Sequence, residues 1–206
     1  MARSKPPVVV ITGASQGIGA AIARAFAAKV LGVRLALVAR STANLAAVAR
    51  SCAKLGAQAV AFGCDVSDEA EVNRMAGEVL GRFKSVDVLV NNAGKYAGAP
   101  FLETSVADFD RMIASNLRGL FLVTKAFAPG MVRRRRGDIF NMGSIAGISA
   151  LAGAPAYTAA KFGVKVRRVG VQGTTLDDVF LHYTGRQLRD AAGSAGTYDV
   201  SHLYNR

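Results

Sequence analysis

The chain has 206 residues, 51% of them apolar, and 26 basic against 14 acidic side chains give it a formal charge of +12. That length suits one α/β domain with room for a real core, and the composition excludes a disordered chain. There is no run of about 18 apolar residues, so no membrane-spanning helix is expected. Cys52 and Cys64 have no metal-ligand spacing, and no metal site is expected. Both read as reduced thiols in or near the core of a cytoplasmic protein.

In chain order, apolar runs alternate with helical patterns. Val8–Thr12 is predicted as a short buried strand, and Gly17 to about Val30 as an alanine-rich helix. A strand at Arg34–Ala39, a helix at Ala43–Leu55 and a strand at Ala57–Cys64 follow. A helix at Glu69–Phe83 leads to a strand at Val86–Val90. Phe109–Val132 reads as one long helix, Asp138–Met142 as a fifth strand, and Ala154–Val164 as the start of another helix. Alternation of this kind predicts an α/β fold, a doubly wound parallel sheet with helices on both faces. The strands are almost continuously apolar, as strands covered on both faces should be.

The densest charge is Arg133-Arg134-Arg135-Arg136 at the end of the long helix. Basic side chains suit a helix C-terminus, and Gly137 follows as a stop. No aromatic interleaving or nucleic-acid motif accompanies the run, so nucleic acid is not expected as a partner.

The first strand runs into Thr12-Gly13-Ala14-Ser15-Gln16-Gly17-Ile18-Gly19, which opens a helix. Gly13 allows the sharp turn, Gly17 lets the backbone approach a pyrophosphate, and Gly19 lets helix and sheet pack closely. The helix start offers free N–H groups to phosphates. No lysine follows the glycines, so this is not an ATPase loop. At the end of the second strand the run is Val38-Ala39-Arg40-Ser41. Alanine stands where an acid would grip a ribose 2′-hydroxyl, and Arg40 could clamp a 2′-phosphate. NADP(H) is therefore expected over NAD(H).

Asp65, past the third strand and before Val66, could accept from an adenine amino group, or could cap a helix. Asn91-Asn92-Ala93-Gly94 follows the fourth strand, where its amides could tie neighbouring strands and border a cofactor. Asn116 lies within the long helix, where asparagine is a poor helix former; its plain alternative is an exposed helical asparagine. Ser144 follows the fifth strand, at the carboxyl edge where such sheets bind ligands. Tyr157 and Lys161 are four apart, so on a helix they share a face. A free tyrosine, with a pKa near ~10, is a poor acid at neutral pH. A lysine ammonium one turn away favours the phenolate and makes a phenol useful for proton transfer to a carbonyl oxygen.

In order and spacing these residues resemble the short-chain dehydrogenase/reductase family from residue 8 to about 164. The resemblance implies a Rossmann-like sheet binding NAD(P). The cofactor would meet Gly13, Ser15, Gln16, Gly17, Ile18, Gly19, Arg40, Asp65, Val66, Asn92, Ala93, Gly94, Tyr157 and Lys161. It implies Tyr157 as general acid for carbonyl reduction, or base in reverse, with Lys161 holding the nicotinamide ribose. Ser144 would hydrogen-bond the substrate oxygen, and Asn116 would anchor a proton-relay water. The expected reaction interconverts a ketone or aldehyde and an alcohol on a small molecule. Pro100–Phe101 and Ala146–Pro155 are expected to line the near side of its pocket. Family members often form dimers or tetramers through the long helix and the Tyr157 helix, which leaves a homo-oligomer open.

The resemblance stops after Val164. The family adds a buried strand, a Pro-Gly loop over the nicotinamide and a lid, none of which is recognisable here. Residues 1–164 thus read as a reductase domain incomplete at its C-terminal end, and 165–206 as an atypical segment with one short helix and a flexible tail. About residues 166–190 look similar to the C-terminal region of ATP-binding subunits of drug-exporter ABC transporters. Thr175 with Asp178 would start the helix there and Gly185 would end or interrupt it, while His182 is expected on its surface. Such a junction leaves a second reading, a catalytically weak nucleotide-binding module from a truncated or chimeric reductase.

Overall fold

A computed structural model describes residues 5–151 and 153–164. The expectations for 165–206, including the helix from Thr175, Gly185 and His182, lie outside the described residues.

Five parallel strands form one sheet: β1 (Val8–Thr12), β2 (Arg34–Ala39), β3 (Gln58–Gly63), β4 (Val88–Asn91) and β5 (Asp138–Asn141). Their order is β3-β2-β1-β4-β5. Helices α1 (Gly17–Lys29), α2 (Thr42–Lys54), α3 (Glu69–Phe83), α4 (Val106–Ile113), α5 (Gly119–Arg134) and α6 (Pro155–Gly163) alternate with them. The expected elements recur with ends shifted by a few residues, because helix and strand ends are set by caps and pairing rather than by apolar pattern.

Side chains alternate across the sheet. Val8 and Val10 of β1 pack with Val72 and Met75 of α3 and with Leu122 and Phe127 of α5. Val9 and Ile11 point the other way, onto Ala20 and Ala23 of α1 and Leu45 and Val48 of α2. Every residue of β1 is buried, as a central parallel strand with helices on both faces requires. Cys52 and Cys64 are buried and unpaired, and burial pushes the Cys64 thiol up to about 11, away from reactivity.

Two local features depart from expectation. The single helix predicted over Phe109–Val132 is α4 and α5 joined by a π-helical turn at Ala114–Arg118. Asn116 sits in that turn and is 1% exposed, so it is not an exposed helical asparagine. At the end of α5 the left-handed stop is Arg135 (φ +50°), not Gly137. Gly137 instead takes φ +149° two residues later, where a Cβ would stand 2.5 Å from the Met131 side chain.

Candidate active site

β1 lies between β2 and β4, so the connections leaving it and β4 diverge at the carboxyl edge of the sheet. A crevice at that switch point is where an open α/β sheet takes a ligand. Thr12, the last residue of β1, organises the crevice. Its buried hydroxyl donates to the Val90 carbonyl (3.3 Å) and accepts from the N–H groups of Asn92 and Ala93 (3.0 Å each). The Asn92 amide donates to the carbonyls of Thr12 (3.0 Å) and Gly13 (3.3 Å). The loop after β4 is thereby tied to the glycine turn after β1.

The turn needs its glycines for separate reasons. Gly13 (φ +66°) and Gly17 (φ +55°) adopt left-handed backbone. A Cβ on Gly19 would lie 2.3 Å from the Gly13 carbonyl oxygen, so α1 could not seat against the turn. A Cβ on Gly17 would meet nothing within 4 Å, so the helix start faces open space. Gln16 precedes the helix without a side-chain cap, and no acid lies in the first turn. The leading N–H groups of α1 therefore lack a side-chain acceptor and an opposing charge, which suits a pyrophosphate. Ser15 is half-buried, while Gln16 and Ile18 are exposed beside it.

Along the same edge, Arg40 follows β2 and Asp65 follows β3. Their side chains form an ion pair at 3.7 Å. Asp65 also accepts from the Ser67 N–H (3.0 Å) and hydroxyl (2.7 Å). Burial would raise its pKa, but these bonds and the charges of Arg40 and Lys95 outweigh burial and hold it below the usual carboxylate value. The cap of α3 is Asp68, which accepts from the Glu71 N–H, so Asp65 is not the capping aspartate. Val66 is buried, with its side chain filling the space over Gly119.

Beyond β4, Asn116 holds the next stretch of loop. Its amide accepts from the Lys95 N–H (3.2 Å) and donates to the Lys95 carbonyl (3.0 Å) and to Met112 (3.0 Å). A Cβ on Gly94 would sit 2.6 Å from the Asn116 amide oxygen and 3.8 Å from the Lys161 ammonium. Gly94, Asn116 and Lys161 thus converge on one spot.

Lys161 reaches that spot from α6. It is only 7% exposed, donates to the Met142 carbonyl at 2.9 Å, and lies 5.8 Å from the centre of the Tyr157 ring. Burial lowers its pKa from the ordinary 10.5. Among the described residues no carboxylate pairs with it. Ser144 caps a short 3₁₀ turn (Ile145–Gly147), its oxygen accepting from the Ala146 N–H at 3.2 Å. The bond uses the oxygen as acceptor, so the hydroxyl proton remains to be donated. Gly147 in that turn sits directly on α6, since a Cβ there would be 2.7 Å from the Lys161 carbonyl oxygen. The turn that starts at Ser144 and the helix carrying Tyr157 and Lys161 are therefore locked together.

Three contributors escaped the sequence reading. The Met142 carbonyl is a backbone group and leaves no side-chain signal. The Thr12 hub needed the pairing of β1 with β4 to be known. Tyr96 meets Tyr157 edge-to-face, with centroids 5.2 Å apart and planes at 82°, and no spacing rule relates a loop position to a helix position 61 residues on. Among the described residues no cluster fit to bind a metal is present.

A parallel sheet in 3-2-1-4-5 order, with an open glycine turn at its switch point, defines a Rossmann-like dinucleotide-binding fold. The chain matches the short chain dehydrogenase family over residues 7–167 and belongs to it. It is 43% identical over 157 residues to D-threitol dehydrogenase of Mycolicibacterium smegmatis, covering 76% of this chain and 60% of that protein. It is 40% identical over 157 residues to 3-oxoacyl-[acyl-carrier-protein] reductase of Synechocystis, covering 76% of this chain and 63% of that one. A metagenomic short-chain oxidoreductase solved in complex with NADP superposes with a TM-score of 0.72 at 43% identity, over 77% of this chain and 70% of that one. The chain thus spans about 60% of the length of the curated relatives it matches.

Proposed function

We propose that the chain is an NADP(H)-dependent oxidoreductase that interconverts a ketone or aldehyde and an alcohol. The observation that carries this reading is the buried Lys161 ammonium, seated on the Met142 carbonyl and over the Tyr157 ring, at the edge that also holds the glycine cradle.

The open helix start at Gly17 and the backbone of Gly13–Gly19 receive the pyrophosphate. Ser15, Gln16 and Ile18 flank it, Asn92, Ala93 and Gly94 border it, and Asp65 with Val66 takes the adenine end. Arg40 takes a 2′-phosphate. Its present partner is no obstacle, because an exposed ion pair is worth at most about 1 kcal/mol and a phosphate offers a stronger, bidentate partner. The NADP bound to the metagenomic relative supports the same preference. A bound nicotinamide would supply or take up the hydride at the carbonyl carbon. In reduction Tyr157 gives its phenolic proton to the carbonyl oxygen, and Ser144 donates a hydrogen bond to that oxygen. Lys161 holds the ribose and keeps a positive charge beside the phenol. Asn116 fixes the turn next to Lys161 and anchors the water through which the proton is replaced. Residues 1–164 act as the reductase domain in this reading.

The test has two parts. NADPH, at about a hundred times its dissociation constant, should raise the stability of the purified chain by ~2.7 kcal/mol, and NADH by less. Carbonyl-dependent oxidation of NADPH should fall by at least about a hundredfold in Tyr157→Phe while the thermal response to NADPH persists. A thermal response without turnover in the parent chain would favour a nucleotide-binding module over an enzyme.

A further inference from the structure

The catalytic reading leaves Tyr96 unused, yet its placement is specific. It stands on the loop after β4, two residues past Gly94, and its ring meets Tyr157 edge-to-face. Its ring is not consumed by that contact, because Tyr96 remains 65% exposed. Its hydroxyl end is seated: a Cβ on Gly98 would come within 2.8 Å of the Tyr96 hydroxyl oxygen and 3.0 Å of the Gly153 carbonyl oxygen. Gly98 thus lies against both the Tyr96 hydroxyl and the Gly153 carbonyl, at a point only glycine leaves open.

The segment that leads into and carries Tyr157 is short of charge. From Ile139 to Ala160 the chain carries no charged side chain. Ile145 and Ile148, on the loop between Ser144 and α6, are exposed. Lys95 precedes Tyr96 and its charge reaches Asp65, and the Lys161 ammonium lies 5.8 Å from the centre of the Tyr157 ring.

We propose that Tyr96 determines substrate choice: its exposed ring beside Tyr157 receives an aryl group attached to the reacting carbonyl, and an aryl ketone is preferred over a polyhydroxylated one. The inference rests on the reductase reading for its chemistry, but the contact itself requires only binding. An aromatic ring gains from an offset or edge-to-face partner beyond the area it buries, whereas a polyhydroxylated chain gains no such partner from the exposed Tyr96 ring.

The probes are acetophenone and dihydroxyacetone. Their binding to the NADP-loaded full chain is followed by saturation-transfer NMR titration, and their turnover by NADPH oxidation. Acetophenone should bind the parent and Tyr96→Phe alike and bind Tyr96→Leu up to about tenfold more weakly, with dihydroxyacetone unaffected by either change. Gly98→Ala, which displaces the tyrosine without deleting it, should weaken acetophenone in the same direction. The thermal response to NADPH should be the same in all four proteins. Equal acetophenone binding in the parent and Tyr96→Leu would overturn the proposal. So would parallel losses for both probes, or a lost NADPH response, either of which marks a merely structural tyrosine. If neither probe is turned over, the binding contrast still decides Tyr96.

Discussion

Lys161 shows how one buried charge serves a site at a cost to the fold. Its pKa is lowered by burial, so the unfolded chain holds that proton more tightly than the folded one. Between the lowered value and 10.5 the unfolded state binds more protons, and this residue's contribution therefore makes stability rise with pH across that window. Below the window the buried charge is a constant penalty. Lys161→Met should raise the melting temperature at neutral pH and remove the pH-dependent rise, while turnover drops at least about a hundredfold. Scanning calorimetry at several pH values and a turnover assay check both halves. Thr12 makes the opposite kind of contribution. Thr12→Val would leave the N–H groups of Asn92 and Ala93 without their acceptor and the Val90 carbonyl without its donor. A loss of about 1–3 kcal/mol in urea unfolding is expected, together with a weaker response to NADPH.

Among the elements, the joined α4–α5 pair carries the most information. The π-helical turn shifts the helix register at Asn116, so that its amide can reach Met112 behind it and both backbone groups of Lys95 across the gap. Asn116→Leu should loosen the loop at Gly94–Lys95, seen as faster amide exchange of Lys95, and should lower turnover more than it lowers stability. At the far end α5 stops on a left-handed arginine, a conformation that costs a residue with a Cβ about 1–2 kcal/mol. Arg135→Gly should raise stability by about 1 kcal/mol without touching nucleotide response, since Arg135 is exposed at the opposite end of α5 from Asn116. Urea unfolding reads the first and the NADPH melt the second.

For the whole molecule, the sheet is asymmetric. β1 is fully buried, whereas in β5 Asp138, Phe140 and Asn141 are only half-buried and Ile139 is exposed. Among the described residues β5 pairs on one side only, with β4. An apolar edge strand is a template for pairing with another chain. Ile139→Lys should therefore lower concentration-dependent association in sedimentation velocity while leaving the NADPH thermal shift in place. The formal charge of +12 favours dispersal at low salt, so association should grow as salt screens it.

The sequence by itself determined the α/β class, the parallel sheet, its glycine turn and the Tyr157–Lys161 pair. Each of these is a local pattern: an apolar run, a periodicity, or two side chains one helical turn apart. It also held the order of Asn92, Asn116 and Ser144 without revealing what each would touch. The tertiary structure decided the rest because the partners are far apart in the chain. Thr12 becomes a hub only when β4 lies beside β1, Lys161 meets Met142 only when α6 comes back to the end of β5, and Tyr96 meets Tyr157 only when the loop after β4 lies beside α6. The π-helical turn and the left-handed Arg135 were invisible for another reason. Both are backbone choices made against the local propensity of their residues, and packing of the helices supplies the energy that holds them.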